Sequence, residues 1–225
     1  MVTPFYEKEE TCLYCQHRFV TTKVRSRFVR IEKVHSDFFQ EYKDPEINPY
    51  LYEVAVCPKC GFAFSDQFEA KLTPNIRERI AQALKGWKEQ DFGGRRDLDI
   101  AIRAYKLGIL SATLKKEKHV VIAGLCLRLA WLFRMKNDEQ EEKRFLSEAL
   151  NQYKKSYERA DYIATPMTDI RILYMIGELS RRVGNIDEAI RYFSLVIQHK
   201  DKESEQKIVE MAREQWYLIR NSEAL

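Results

Sequence analysis

The residues best placed to do chemistry are four cysteines in two doublets, Cys12-Leu13-Tyr14-Cys15 and Cys57-Pro58-Lys59-Cys60. Two residues between cysteines let one tight turn bring both sulfurs to a single cation. Four thiolates then fill a tetrahedral coordination shell and leave no position open for water. Gly61, directly after the second doublet, can take backbone angles closed to other residues and so turn nearby amides toward the sulfurs. The expected role of Cys12, Cys15, Cys57 and Cys60 is to ligate a structural Zn2+, with iron as the alternative. His17 could replace a thiolate, but four already suffice, and His35 lies in a polar stretch that reads as surface. Cys126 lies in Leu125-Cys126-Leu127-Arg128-Leu129-Ala130-Trp131, where helical packing accounts for a small apolar side chain.

Two hairpin turns clasping one ion make a zinc ribbon, with strands spanning the distance between them. The stretch 16–56 is longer than in compact ribbons, and the prolines and polar residues of 37–49 read as an inserted loop. A rubredoxin-type iron site also uses two doublets, and Cys57-Pro58-Lys59-Cys60-Gly61 resembles its second half. Gln16 stands where such a site would have glycine, which favours zinc.

The elements that must position these sulfurs are strands. Residues 19–31 are rich in β-branched and aromatic side chains, and Val20, Thr22 and Val24 alternate with Thr21, Lys23 and Arg25, as in a strand with one wet face. Lys23, Arg25 and Arg27 are expected on that wet face, with a change of phase near Ser26. A second strand is expected over 50–56, running directly into Cys57. Composition then changes near Leu72-Thr73-Pro74, since only Pro166 lies beyond this point. The expected organisation is a zinc-ribbon-like β module, 1–72, followed by an all-helical domain, 73–225. The fold class is α+β, mostly α. Helices are expected over 74–89, 98–114, 118–136, 139–159, 168–183, 186–199 and 204–221.

The helical part carries weak self-similarity. Asp99-Ile100-Ala101-Ile102-Arg103-Ala104-Tyr105 resembles Asp187-Glu188-Ala189-Ile190-Arg191-Tyr192-Phe193. Gly177, Gly184, Ala189 and Phe193 sit at the spacing of the tetratricopeptide repeat, although the interval of about 44 residues exceeds the roughly 34 of the standard unit. The resemblance implies a groove for a protein or peptide, with Arg134 and Arg181 as candidate lining residues. Tyr174 and Glu178 occupy the places of the Lys/Asn carboxylate clamp, so an acidic C-terminal tail is not implied as ligand.

Several motifs together resemble an uncharacterised bacterial family of the domain-of-unknown-function kind. They are the first doublet, Lys23-Val24-Arg25-Ser26-Arg27, Ser36-Asp37-Phe38, Ile47-Asn48-Pro49 and Val56-Cys57-Pro58-Lys59-Cys60-Gly61-Phe62-Ala63. The match is specific over about 12–69 and continues weakly through the helices. It implies a zinc-ribbon-like head on a repeat-like body and no particular activity. Phe39 stands where some relatives would place another cysteine, so no second metal function is implied there.

A net charge of +4 on 225 residues is too small an excess to argue for nucleic acid by itself. The basic residues Lys23, Arg25, Arg27 and Arg30, with nearby aromatics, nonetheless form a candidate nucleic-acid surface. No apolar run approaches the roughly 20 residues that span a bilayer, and the amino terminus does not read as a secretory signal. A cytoplasmic protein with no membrane partner is therefore expected, where paired cysteines stay reduced and bind metal. No Gly-rich phosphate loop, nucleophile elbow or His-Glu-x-x-His pattern points to catalysis. The favoured function is a non-enzymatic zinc-binding scaffold or regulator of macromolecular interactions. A nucleic-acid-binding regulator and an enzyme with a site at the module junction are the alternatives, and the sequence leaves oligomeric state open.

Overall fold

The computed structural model describes residues 2–222. An antiparallel pair opens the chain: β1 (Phe5–Thr11) runs against β2 (Arg18–Val24), with Phe5 opposite Val24 and Thr11 opposite Arg18. Further short pairs follow, β3 (Ile31–Val34) with β4 (Gln40–Tyr42) and β5 (Ala55–Val56) with β6 (Ala63–Phe64). Helices α1 (Pro74–Ala83), α2 (Leu98–Lys115), α3 (His119–Met135), α4 (Glu139–Arg159), α5 (Asp169–Val183), α6 (Ile186–Ile197) and α7 (Gln206–Ser222) complete the described chain. This is an α+β fold dominated by helix.

Local chemistry sets several helix ends. Asp97 accepts a hydrogen bond from the Ile100 amide at 2.8 Å and starts α2, and Thr168 does the same for α5 through Arg171. Gly184, at φ 96, ends α5 in the left-handed conformation. The first helix stops at Ala83 rather than near 89, because residues 84–87 close a turn in which the Trp87 amide bonds the Leu84 carbonyl at 3.0 Å.

The strands depart further from expectation. The front residues 5–11 form a strand although Glu7, Lys8, Glu9 and Glu10 hide its alternation. In β2 the expected phase holds only in part: Thr22 is buried as expected, but Phe19 and Thr21 are also buried, at 9% and 1% exposure, and Val20 is 44% exposed. Phe19 sets this phase by packing edge-on to Phe64, which turns Lys23 inward with it. The strand ends at Val24, and a 3-10 turn over Ser26–Phe28 takes Arg25 and Arg27 off the strand face that had been expected to carry them. Residues 49–52 likewise form a 3-10 turn, not a strand. Asn48 accepts from the Tyr50 amide at 2.9 Å, and Pro49 occupies the first turn position, so only Ala55–Val56 remains extended.

The chain divides into two compact units. Among described residues the first comprises 2–34, 40–117 and 131–138, and the second 35–39, 118–130 and 139–222. The change from strand to helix at 72/73 falls inside the first unit. Its apolar centre gathers Phe19, Ala55, Phe62, Phe64 and Ile80 around Cys12 and Cys57, with Ile76 of α1, Leu84 just after it and Leu114 of α2 packed against them. In the second unit Phe193 of α6 lies over Gly177 of α5, where an added Cβ would sit 3.0 Å from the ring. No described helix is long and apolar enough to cross a membrane.

Candidate metal centre

Each cysteine doublet sits in a six-residue loop at the end of a strand pair. Residues 12–17 join β1 to β2, and 57–62 join β5 to β6. The two loops share one hydrogen-bond pattern. The Cys12 amide bonds the His17 carbonyl at 2.9 Å and the Gln16 amide bonds the Cys12 carbonyl at 3.0 Å. In the second loop the Cys57 amide bonds the Phe62 carbonyl at 3.0 Å and the Gly61 amide bonds the Cys57 carbonyl at 2.9 Å.

Both loops turn back through a residue in the left-handed region, Gln16 at φ 62 and Gly61 at φ 74. Gln16 thus adopts a glycine-like angle, and its side-chain amide donates to the Leu13 carbonyl at 3.2 Å. Gly61 is constrained twice over. A Cβ there would meet the Trp87 ring at 2.4 Å, and that ring is held by its Nε1–H donating to the Pro58 carbonyl at 2.7 Å.

The loops bring the four sulfurs together. Cys12 Sγ lies 3.7 Å from Cys60 Sγ, Cys15 Sγ lies 3.6 Å from Cys57 Sγ, and all four fall within 4.8 Å of one another. A zinc–sulfur bond of about 2.3 Å implies roughly 3.8 Å between sulfurs on a regular tetrahedron, so the donor set fits one tetrahedral ion. A disulfide would require about 2.05 Å, and all four are free thiols. Cys12 and Cys57 are fully buried, whereas Cys15 and Cys60 are part-exposed.

Electrostatics points the same way. Hydrogen bonds from the Cys12 and Cys60 thiols hold Cys57 well below the usual thiol range. Donation toward Cys57 raises Cys12 in turn, and the Cys12 and Cys57 sulfurs raise Cys60. The neighbouring sulfurs and burial thus oppose ionisation of Cys12 and Cys60 beside Cys57, and a cation held among the thiols would relieve that opposition.

Helical cover fixes the loops from outside. Arg77 of α1 donates to the Tyr14 carbonyl at 2.8 Å. Arg96, buried, donates to the carbonyls of Phe92, Leu51 and Val54 at 2.9, 3.1 and 2.8 Å, which pins the approach to β5. The 3.6-residue periodicity of Ile76, Ile80 and Leu84 marks the covering face of α1 in the sequence. Nothing local marks Trp87 or Arg96 as cover for the loops, since the carbonyls they reach there belong to Leu51, Val54 and Pro58.

The other candidate residues are placed differently. Lys23 donates to the Tyr52 carbonyl at 3.0 Å, and burial lowers its pKa. Arg25 stacks on Tyr6 with its guanidinium carbon 4.8 Å from the ring centre. Arg27 and Arg30 are exposed, and Arg27 lies over Phe28. Arg134 belongs to the first compact unit and Arg181 to the second, where it grips Glu178 through two hydrogen bonds of 2.9 Å. His17 contributes its carbonyl to the first loop, and Cys126 is a buried core residue of α3.

A family model described as an uncharacterized protein conserved in bacteria (DUF2225) matches residues 5–219. No curated protein and no solved structure matches the chain.

Proposed function

The chain belongs to this conserved bacterial family, and we propose that it is a non-enzymatic, zinc-stabilised scaffold or regulatory protein that mediates contacts with other macromolecules. The observation that carries the metal half of this reading is the convergence of four thiols at tetrahedral spacing within one apolar cluster. Four protein ligands close the coordination shell, which suits an ion that holds a fold together rather than one that activates water. A tetrahedral four-thiolate site accepts zinc or iron, and the side chain at Gln16, where an iron knuckle has glycine, favours zinc. A reducing compartment such as the cytoplasm keeps such thiols available to the ion.

The interaction half rests on the helices. Packing of Phe193 on Gly177 is the close helix–helix approach expected of a tetratricopeptide-like pair, a class of architecture that presents surfaces to proteins and peptides. A nucleic-acid reading remains the second choice, and it rests on the exposed Arg27 and Arg30, since Lys23 and Arg25 are engaged within the fold.

Chelation tests the metal half. Removing the ion should expose the amides of 5–64 to hydrogen exchange, and Zn2+ should restore their protection. Unchanged exchange after chelation would remove this reading. Binding to a mixed nucleic-acid pool at low salt tests the partner class. Salt-dependent affinity that disappears in Arg27→Ala/Arg30→Ala would replace the protein-partner reading with the second one.

A further inference from the structure

The second compact unit contains a cluster of buried charge that the metal reading leaves unused. Tyr174, Glu178 and Arg182 recur every four residues on α5 and so share one face. The segment His35–Phe39, which belongs to the same unit, lies against that face. Tyr174 donates its hydroxyl to the Ser36 carbonyl at 2.7 Å. Ser36 donates its own hydroxyl to Glu178 Oε1 at 2.7 Å. Arg182 reaches Ser36 Oγ at 3.2 Å and Asp37 Oδ1 at 3.3 Å, and the Phe38 ring packs on Tyr174 with centres 5.6 Å apart.

Asp37 and Glu178 are both fully buried. Their charges are balanced by Arg182 and by Arg181, whose two nitrogens bond Glu178. The segment is held as a closed turn: the His35 amide bonds the Phe39 carbonyl at 2.8 Å, the Phe38 amide bonds the His35 carbonyl at 2.9 Å, and Phe38 takes φ 65.

Hydroxyl, carbonyl, carboxylate and ring of the tripeptide each meet a partner on α5, with Tyr174 and Arg182 serving two groups each. A loop that only covers a helix needs apolar contact, whereas this contact discriminates by chemistry, because each buried polar group left unmatched is costly. We propose that the Tyr174–Glu178–Arg182 face is a recognition site for a Ser-Asp-aromatic turn, and that the chain fills it with its own Ser36-Asp37-Phe38. A partner protein exposing a turn of that chemistry competes for the same face. Intramolecular occupancy weakens such a partner by the fraction of time that the face is covered, which makes release of the segment the controlling event. This proposal is independent of the metal ion's identity.

The test uses the full chain and a fluorescent peptide spanning residues 33–41. Wild-type protein should bind it weakly. Ser36→Ala/Asp37→Ala, which loosens the internal turn, should bind it roughly tenfold more tightly or better. Adding Arg182→Ala to that double variant should abolish binding, and a scrambled peptide should not bind. Phe38→Ala keeps both carboxylate–guanidinium contacts and serves as a second, milder opener that should also raise affinity. Equal binding by wild type and both openers, or no binding by either opener at millimolar peptide, would overturn the proposal.

Discussion

Two of the buried polar clusters among the described residues, one in each compact unit, solve the same problem by opposite means. In the first unit four sulfurs crowd within 4.8 Å, joined by sulfur–sulfur contacts and by a hydrogen bond from the Cys15 amide to Cys12 Sγ. Such a set can ionise fully only around a cation supplied from outside. In the second unit two buried carboxylates face two guanidiniums supplied by α5 itself, so the charge closes within the polypeptide. The first cluster depends on an ion from outside, and the second closes on a distant piece of the same chain.

Substitutions that break each cluster should therefore differ in kind as well as size. The largest effect is expected for Cys57→Ser. Binding energy for a structural zinc is of order 10 kcal/mol and is folding energy, so loss of one ligand should release the ion and unfold the front of the first unit. Elemental analysis with hydrogen exchange checks this, and full protection of 5–64 in the variant would contradict it.

Arg182→Ala should cost about 3 kcal/mol, because it leaves Asp37 buried without that guanidinium and removes one of two from Glu178. Denaturant unfolding reads the loss, while metal content should stay at the wild-type level. A fall in metal content would show that the clusters are not separate devices.

A smaller pair of effects sharpens the view of the metal loops. Gly61→Ala should cost about 2 kcal/mol, since the new methyl meets the Trp87 ring at a position of positive φ. Gln16→Gly, at the matching place in the first loop, should change stability by less than about 1 kcal/mol, because relief of the left-handed strain is offset by a floppier unfolded chain. Thermal unfolding and Trp87 emission would separate the two, and equal effects would mean that the ring contact contributes nothing. Smallest of all, Arg27→Ala lies on the surface and should alter stability by no more than about 0.5 kcal/mol. A larger loss in urea unfolding would give Arg27 a structural role that its exposure does not suggest.

What could be read from the sequence tracks how local the causes are. The ligand doublets and the limits of α4 and α5 are written in neighbouring residues, through Cys-x-x-Cys spacing and caps such as Thr168 and Gly184. The strands were harder because their partners are remote. The phase of β2 is set by Phe19 against Phe64 and by Lys23 reaching Tyr52, neither of which local alternation reveals. The turn at 49–52 has a local signal in Asn48-Pro49, masked by the β-forming run that follows it. Ser36-Asp37-Phe38 stood out as a motif, yet its partner Glu178 is 142 residues away from Ser36, and only folding brings them together.

The most direct test of the central claim is the metal content of purified, untagged protein grown without metal supplementation. One zinc per chain, removed by a strong chelator and absent from Cys57→Ser, is the expected result. A metal-free sample whose residues 5–64 are nonetheless fully protected from exchange would contradict it.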